Sequence, residues 1–108
     1  MSRHFVAPLV SLALLAVSPT ASAADAARGG SLAGSWCSSC HIIDTGTAQK
    51  VADRAPTFRS IANDSEKTDA YLKRFMANPH YPMPNLDLGR RDIDDLVAYI
   101  GTLRTKTP

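Results

Sequence analysis

The two cysteines of this 108-residue chain lie only three positions apart, at Cys37 and Cys40. A bond between residues this close cannot tie distant parts of a fold together, so the disulfide framework of small secreted domains is excluded. Short chains bury a modest core and commonly need a disulfide, a metal or a cofactor for stability. Any such support must therefore be something that the two cysteines hold.

The first 23 residues have the pattern of a secretory signal peptide. Arg3 and His4 form a charged head, residues 5–17 are an apolar run, and Ala21-Ser22-Ala23 supplies the small residues of a cleavage site. The run is too short to span a bilayer, which disfavours the alternative of an uncleaved anchor. We expect cleavage after Ala23, export to the periplasm and a mature domain over residues 24–108 that is not inserted in the membrane.

Composition limits the class of protein without identifying a partner. The chain is 44% hydrophobic and 20% charged, with a formal net charge of +2. A single folded domain is expected from these values, and a disordered tail is excluded. The strongly basic surface that nucleic-acid binding requires is absent, so no nucleic acid is expected as a partner.

Apolar periodicity after residue 23 predicts helices and no substantial sheet. The clearest helix lies near the end of the chain, where five apolar residues share one helical stripe: Ile93, Leu96, Val97, Ile100 and Leu103. Gly89 is its expected N-cap. A second helix is predicted over residues 66–77, entered after Ser65 and ended by the Asn78-Pro79 pair. A short helix is predicted to begin at Pro56.

Residues 25–36 are rich in small side chains. Gly29 and Ala33 lie four apart, and Gly30 and Gly34 lie four apart beside them. Each glycine weakens a helix by up to ~1 kcal/mol. That cost makes sense if another helix must approach closely at this segment; the alternative is a flexible leader.

Cys37, Cys40 and His41 form the pattern C-x-x-C-H of c-type haem attachment. Residues three apart on a helical turn lie on one face, so each thiol can add to one of the two vinyl groups of the porphyrin. The histidine after the second cysteine is then carried under the iron. The predicted cofactor is one covalently bound haem c.

Two other sites use the same cysteines. With Trp36 the motif becomes W-C-x-x-C, the active-site turn of thioredoxin-like oxidoreductases, but that fold needs a strand entering the turn and the preceding residues are small and glycine-rich. A structural zinc needs four ligands, and Cys37, Cys40 and His80 supply only three, with His41 poorly placed as a fourth. Haem is favoured over both.

Met76, His80 and Met83 are the candidates for a second axial ligand of the iron. Met76 falls on the apolar stripe of the second predicted helix, where core packing is the simpler interpretation. Met83 lies in Tyr81-Pro82-Met83-Pro84-Asn85, and the flanking prolines fix the backbone that presents its thioether. His80 would give a bis-histidine iron, although a polar loop histidine is favoured. We therefore predict Met83.

Three segments together resemble a small bacterial class I cytochrome c: the motif at residues 37–41, Pro82-Met83-Pro84-Asn85, and residues 92–100. The resemblance covers nearly the whole mature chain. It implies an all-α fold in which helices and loops wrap around one covalently attached haem. The segment between His41 and Pro56 has no obvious counterpart in detail, and its Ile42-Ile43 pair is expected to cover haem or core.

The resemblance also implies two contacts. The N-terminal helix should cross the C-terminal helix at Gly29 and Ala33, which would face Tyr99 and its neighbours. The carbonyl of Pro56 should accept a hydrogen bond from His41, and such a bond orients a metal ligand and raises its basicity.

With His41 and Met83 bound, the iron has no open position, so one-electron transfer is predicted and not an enzyme activity. The alternatives are a haem sensor or peroxidase-like enzyme with a labile Met83, or a haem subunit of one dehydrogenase or oxidase. Redox proteins are the expected partners, docking transiently at the exposed haem edge. Five basic residues are candidates for a positive rim there, although a solvated surface is the ordinary interpretation: Lys50, Arg54, Arg59, Lys73 and Arg74.

Overall fold

Four α-helices form the regular structure of the described part of the chain. The computed structural model describes residues 1–18, 23–45 and 55–105. The helices are α1 (Ala26–Trp36), α2 (Phe58–Ala62), α3 (Asp69–Ala77) and α4 (Arg90–Thr102). These ranges contain no strand. The prediction of an all-α fold is confirmed.

The N-terminal segment lies outside the folded core. Residues 1–18 have no regular secondary structure, and their large apolar side chains are exposed. Residues 19–22, which include most of the predicted cleavage site, fall outside the described residues, as do Lys50 and Arg54 of the predicted positive rim. Among the helices that the structure describes, none has the length and apolar character needed to cross a membrane.

Hydroxyl and carboxylate caps determine where the first two helices begin. At α1, Asp25 Oδ1 accepts the N–H of Arg28 at 3.0 Å. At α2, Thr57 Oγ1 accepts the N–H of Ser60 at 3.0 Å. Because Thr57 is the cap, α2 begins one residue later, at Phe58, and the prediction of a start at Pro56 was wrong by two residues.

The start of α3 also differs from the prediction. The helix begins at Asp69 and not at residue 66, because Thr68 Oγ1 caps it by accepting the N–H of Tyr71 at 3.2 Å. The N–H of Glu66 instead binds the Asp64 carboxylate at 3.0 Å, in a turn that precedes the helix. The helix ends before the Asn-Pro pair, as predicted.

Helix α4 agrees with the prediction at both its start and its buried face. Gly89 is its N-cap, and the Asp92 carboxylate accepts the Gly89 N–H at 3.3 Å. Its apolar stripe packs against α1, α2 and α3. The core formed there consists of Ala33, Cys37, Ile43, Phe58, Ala62, Leu72, Met76, Ile93, Leu96, Val97, Ile100 and Leu103.

The crossing of α1 and α4 is too close to accommodate a side chain at Gly29. A Cβ on Gly29 would lie 1.9 Å from the carbonyl oxygen of Asp95 and 2.9 Å from Cβ of Tyr99. Ala33, one turn further along α1, is completely buried. The prediction that another helix approaches the small residues is confirmed, and the flexible-leader alternative was wrong.

Candidate haem site

Helix α1 leads directly into the cysteine motif. Cys37 is the C-cap of α1 and donates its N–H to the Ala33 carbonyl at 2.9 Å. Its own carbonyl accepts the N–H groups of Cys40 at 3.1 Å and His41 at 2.9 Å, so the motif is one tight turn. A helix therefore enters the turn, where the thioredoxin-like alternative requires a strand.

The two thiols have different surroundings. Cys37 is buried in the core and Cys40 is exposed, and neither forms a disulfide. Burial raises the pKa of the Cys37 thiol to about 11, with a smaller contribution from Cys40. A redox dithiol depends on a thiolate with a lowered pKa, so this environment does not suit thiol–disulfide exchange.

The ring of His41 is oriented by the backbone of a distant residue. His41 Nδ1 lies 2.6 Å from the carbonyl oxygen of Pro56. A carbonyl can only accept, so Nδ1 carries the proton and the lone pair is on Nε2, the nitrogen that can bind a metal. The ring of Phe58 lies against His41, with centroids 5.4 Å apart. The imidazole therefore has the tautomer and the support of a metal ligand.

The residues after the motif are fixed to two helices. The Ile42 carbonyl accepts the N–H of Phe58 at 2.9 Å, at the start of α2. The Ile43 carbonyl accepts the hydroxyl of Tyr99, on α4. Ile43 is buried in the core, while Ile42 is 40% exposed. Of the two isoleucines expected to cover haem or core, Ile43 therefore packs in the core.

The candidates for the second ligand lie on and after α3. Met76 is on α3 and is buried in the core, as the helical interpretation predicted. His80 is exposed, and its ring meets the edge of Phe75 at 5.1 Å. Met83 lies in the segment of chain that connects α3 to α4. Its side chain is half-buried, and its N–H donates to the His80 carbonyl at 3.1 Å. The contacts of the described residues join His41 to Pro56 but do not join it to Met83, so ligation by Met83 stays a prediction.

The donor set suits haem better than a bare metal ion. The described ranges contain no group of three or more His, Cys, Asp or Glu side chains that could hold a metal ion. A protein-only zinc site needs four such ligands, whereas a porphyrin brings four nitrogens of its own and needs only axial ligands from the protein. Two thiols and one oriented imidazole on a single turn fit covalent haem.

The amino-acid sequence is similar to those of known proteins. Residues 24–100 match the family described as cytochrome c oxidase, cbb3-type, subunit III. A cytochrome c-552 from Bradyrhizobium diazoefficiens is 39% identical over 104 residues, covering 96% of this chain and 99% of that protein. The chain is a small class I c-type cytochrome. No solved structure matches it.

As a c-type cytochrome, the protein carries a covalently bound haem c and transfers electrons. The spacing of Cys37 and Cys40 is that of the haem-binding motif. The prediction of the cofactor and of an electron carrier is confirmed.

A buried carboxylate that the sequence pattern did not predict fixes the cytochrome's first helix. Asp95 is 2% exposed, and it accepts the N–H of Asp25 at 2.7 Å and Nη1 of Arg28 at 2.6 Å. These two hydrogen bonds, with that from Asp25 the larger effect, lower the pKa of Asp95. Its burial could have been inferred from its position one turn before Tyr99, on the side of α4 that faces Gly29. Asp95 thereby holds the start of the helix that carries the motif.

Proposed function

We propose that this cytochrome is a periplasmic one-electron carrier whose haem iron is bound by His41 and Met83, and that it shuttles electrons between redox proteins. The observation that carries the proposal is the hydrogen bond from His41 Nδ1 to the Pro56 carbonyl. It leaves Nε2 with the lone pair that an iron ligand needs. When bound, haem c supplies a one-electron iron couple.

The cysteines and α1 fix the cofactor to the fold. Thioethers from Cys37 and Cys40 would attach the porphyrin to a turn that continues α1. α1 in turn is locked on α4 by the contact at Gly29 and by the Asp95 carboxylate. The attachment point is therefore continuous with a closely packed helix crossing, which limits movement of the iron ligands when an electron arrives or leaves.

Three observations favour Met83 as the second ligand. Its segment is not helical, lies between Pro82 and Pro84, and leaves the side chain half-buried. Met76 is already buried in the core on the apolar face of α3. The His80 ring already packs against Phe75. A thioether favours the reduced iron relative to a nitrogen ligand, so the proposed ligation predicts a raised reduction potential.

The ligand set determines the kind of activity. An iron with two protein axial ligands has no position for oxygen or peroxide, so electron transfer is favoured over catalysis. Phe58 is buried and its ring lies against His41, so it covers part of the imidazole with apolar surface. Ligands held in this way keep the rearrangement between the two oxidation states small.

Export is supported by the N-terminal pattern. Residues 1–18 contribute nothing to the core, and the first helix begins at Ala26, three residues after the proposed cleavage point. We propose that the mature protein comprises residues 24–108, is located in the periplasm and is not inserted in the membrane.

Docking to redox partners should be weakly steered by charge. Of the predicted positive rim, Arg59 forms an ion pair with Asp44, and Lys73 lies 3.2 Å from an Asp94 oxygen. Neighbouring charges of opposite sign reduce the field that reaches a distant partner. A small, short-lived contact at the haem edge fits a carrier that must release its partner quickly.

Replacement of Met83 tests the ligation. Met83→Ala should keep covalent haem but lower the midpoint potential by on the order of 100 mV, a part of the range of about 0.8 V that axial ligands span. The ferric iron should also bind added imidazole more readily. Met76→Leu, a volume-conserving core change, is the control and should leave both properties unchanged. An unchanged potential in Met83→Ala would transfer the ligand role to Met76 or His80.

A further inference from the structure

We propose that Tyr99 is a positioning residue for His41, acting from α4 on both segments that hold the imidazole. This inference rests on the proposed role of His41 as an iron ligand. Tyr99 contacts the residues on either side of the imidazole. Its effect is transmitted through Ile43 on one side and Phe58 on the other.

The hydroxyl of Tyr99 fixes the chain that carries His41. It donates to the carbonyl of Ile43, two residues after the histidine. Burial raises the pKa of Tyr99, and the nearby Asp44 raises it further, so the hydroxyl remains protonated and able to donate at neutral pH. Ile43 is 3% exposed, so water is a poor substitute for this donor.

The ring of Tyr99 supports the segment that accepts the His41 hydrogen bond. Its centroid lies 6.3 Å from that of Phe58, whose ring in turn lies 5.4 Å from His41. Phe58 is two residues after Pro56, and its N–H holds the Ile42 carbonyl. The Tyr99 side chain on α4 therefore contacts both Ile43, in the segment that follows His41, and Phe58, in the segment that follows Pro56.

The small residues of α1 make room for this side chain. A Cβ on Gly29 would lie 2.9 Å from Tyr99 Cβ, and a Cβ on Gly30 would lie 3.2 Å from two carbons of the Tyr99 ring. Both are closer than ordinary contact. The glycines thus allow Tyr99 to pass α1 and reach the segment after the motif, a purpose beyond the packing of two helices.

Loss of the hydroxyl should loosen the hydrogen bond between His41 and Pro56. In Tyr99→Phe the ring remains, so the fold is preserved, while Ile43 loses its side-chain donor. Opening of the His41 Nδ1–H to solvent should become about fivefold more frequent, the effect of one ordinary hydrogen bond. A weaker hydrogen bond also makes the imidazole a poorer electron donor, so the midpoint potential should rise.

The test uses the holo-protein and proton exchange measured by NMR. Exchange of the His41 Nδ1–H with deuterium and the midpoint potential are compared in wild type, Tyr99→Phe and Tyr71→Phe. Tyr71 is a half-buried tyrosine of α3 whose ring stacks on Phe75, so its hydroxyl is a matched control. We expect faster exchange and a higher potential in Tyr99→Phe, and wild-type values in Tyr71→Phe.

A second variant perturbs the same contact without removing the hydroxyl. Gly30→Ala pushes on the Tyr99 ring and should also speed the exchange. If Tyr99→Phe and Gly30→Ala lower thermal stability but exchange like Tyr71→Phe, Tyr99 is a packing residue and the inference is wrong. If the wild-type His41 ring signals lack the displacement that a bound haem iron imposes, His41 is not the ligand, and both proposals are overturned.

Discussion

Because α1 and α4 cross closely at Gly29, replacing a glycine of α1 with alanine should destabilise the protein at Gly29 but stabilise it at Gly34. Gly29→Ala places a methyl group 1.9 Å from the Asp95 carbonyl oxygen, about 1.5 Å short of the 3.4 Å at which ordinary contact begins. The obstacle is backbone, which cannot rotate away as a side chain can. In Gly34→Ala the nearest atom is Cδ1 of Ile43 at 3.9 Å, so the methyl group fits without any movement.

The expected magnitudes follow from these distances. Overpacking costs ~1–3 kcal/mol, and a clash with backbone belongs at the upper end. Alanine returns up to ~1 kcal/mol of helix stability at either position. Gly29→Ala should therefore lose about 2 kcal/mol, while Gly34→Ala should gain up to about 1 kcal/mol. For a domain of this size the thermal midpoint should fall by roughly 10 °C in the first variant and rise by a few degrees in the second.

Thermal unfolding of the ferric holo-proteins, followed by circular dichroism at a helical wavelength, measures both effects. Haem content must be equal in the two variants, so that the comparison reports packing alone. A Gly29→Ala protein as stable as the Gly34→Ala protein would show that α1 and α4 are further apart than in this structure. It would also contradict the claim that the contact at Gly29 holds the cysteine motif rigidly against α4.

Two further predictions concern the buried carboxylate and the cofactor. The pKa of Asp95 is lowered in the folded protein, so its stabilising contribution is complete above about pH 4, the ordinary range of an aspartate, and is lost as the pH falls through the lower folded value. Denaturant unfolding between pH 6 and 3 should show a smaller acid-side loss in Asp95→Asn than in wild type; parallel profiles would contradict this. The double variant Cys37→Ser, Cys40→Ser should lack covalent haem and be largely unfolded by circular dichroism, and a stably folded haem-free variant would show that the cofactor does not hold the fold together.

The sequence was sufficient where the controlling interactions are local. The apolar stripe and the N-cap of α4 both belong to one short segment, residues 89–103, so periodicity and capping predicted the same helix. The motif at residues 37–41 is likewise one turn of chain. The start of α3 was misplaced because Ser65 and Thr68 are both good caps, and the choice between them depends on the Asp64 turn that brings the chain to the helix.

Only some of the contacts between helices could be predicted from the sequence. The glycines predicted that a helix would approach, and the family resemblance supplied the hydrogen bond from His41 to Pro56. The roles of Asp95 and Tyr99 depend on the register of α4 against α1, which a single helical period does not specify. Asp95 would be expected on the surface as a charged residue, but it is buried and forms an ion pair with Arg28.

The optical spectrum of the holo-protein, recorded oxidised and then reduced, tests the proposed carrier most directly. The protein should be made in a periplasm with haem-attachment machinery and treated with acidic acetone to show that the haem is covalent. We expect a sharp reduced spectrum and, in the ferric form, the weak long-wavelength band of sulfur bound to iron. Covalent haem without that band would contradict ligation by Met83, and a colourless protein would contradict the assignment of Cys37, Cys40 and His41 to haem.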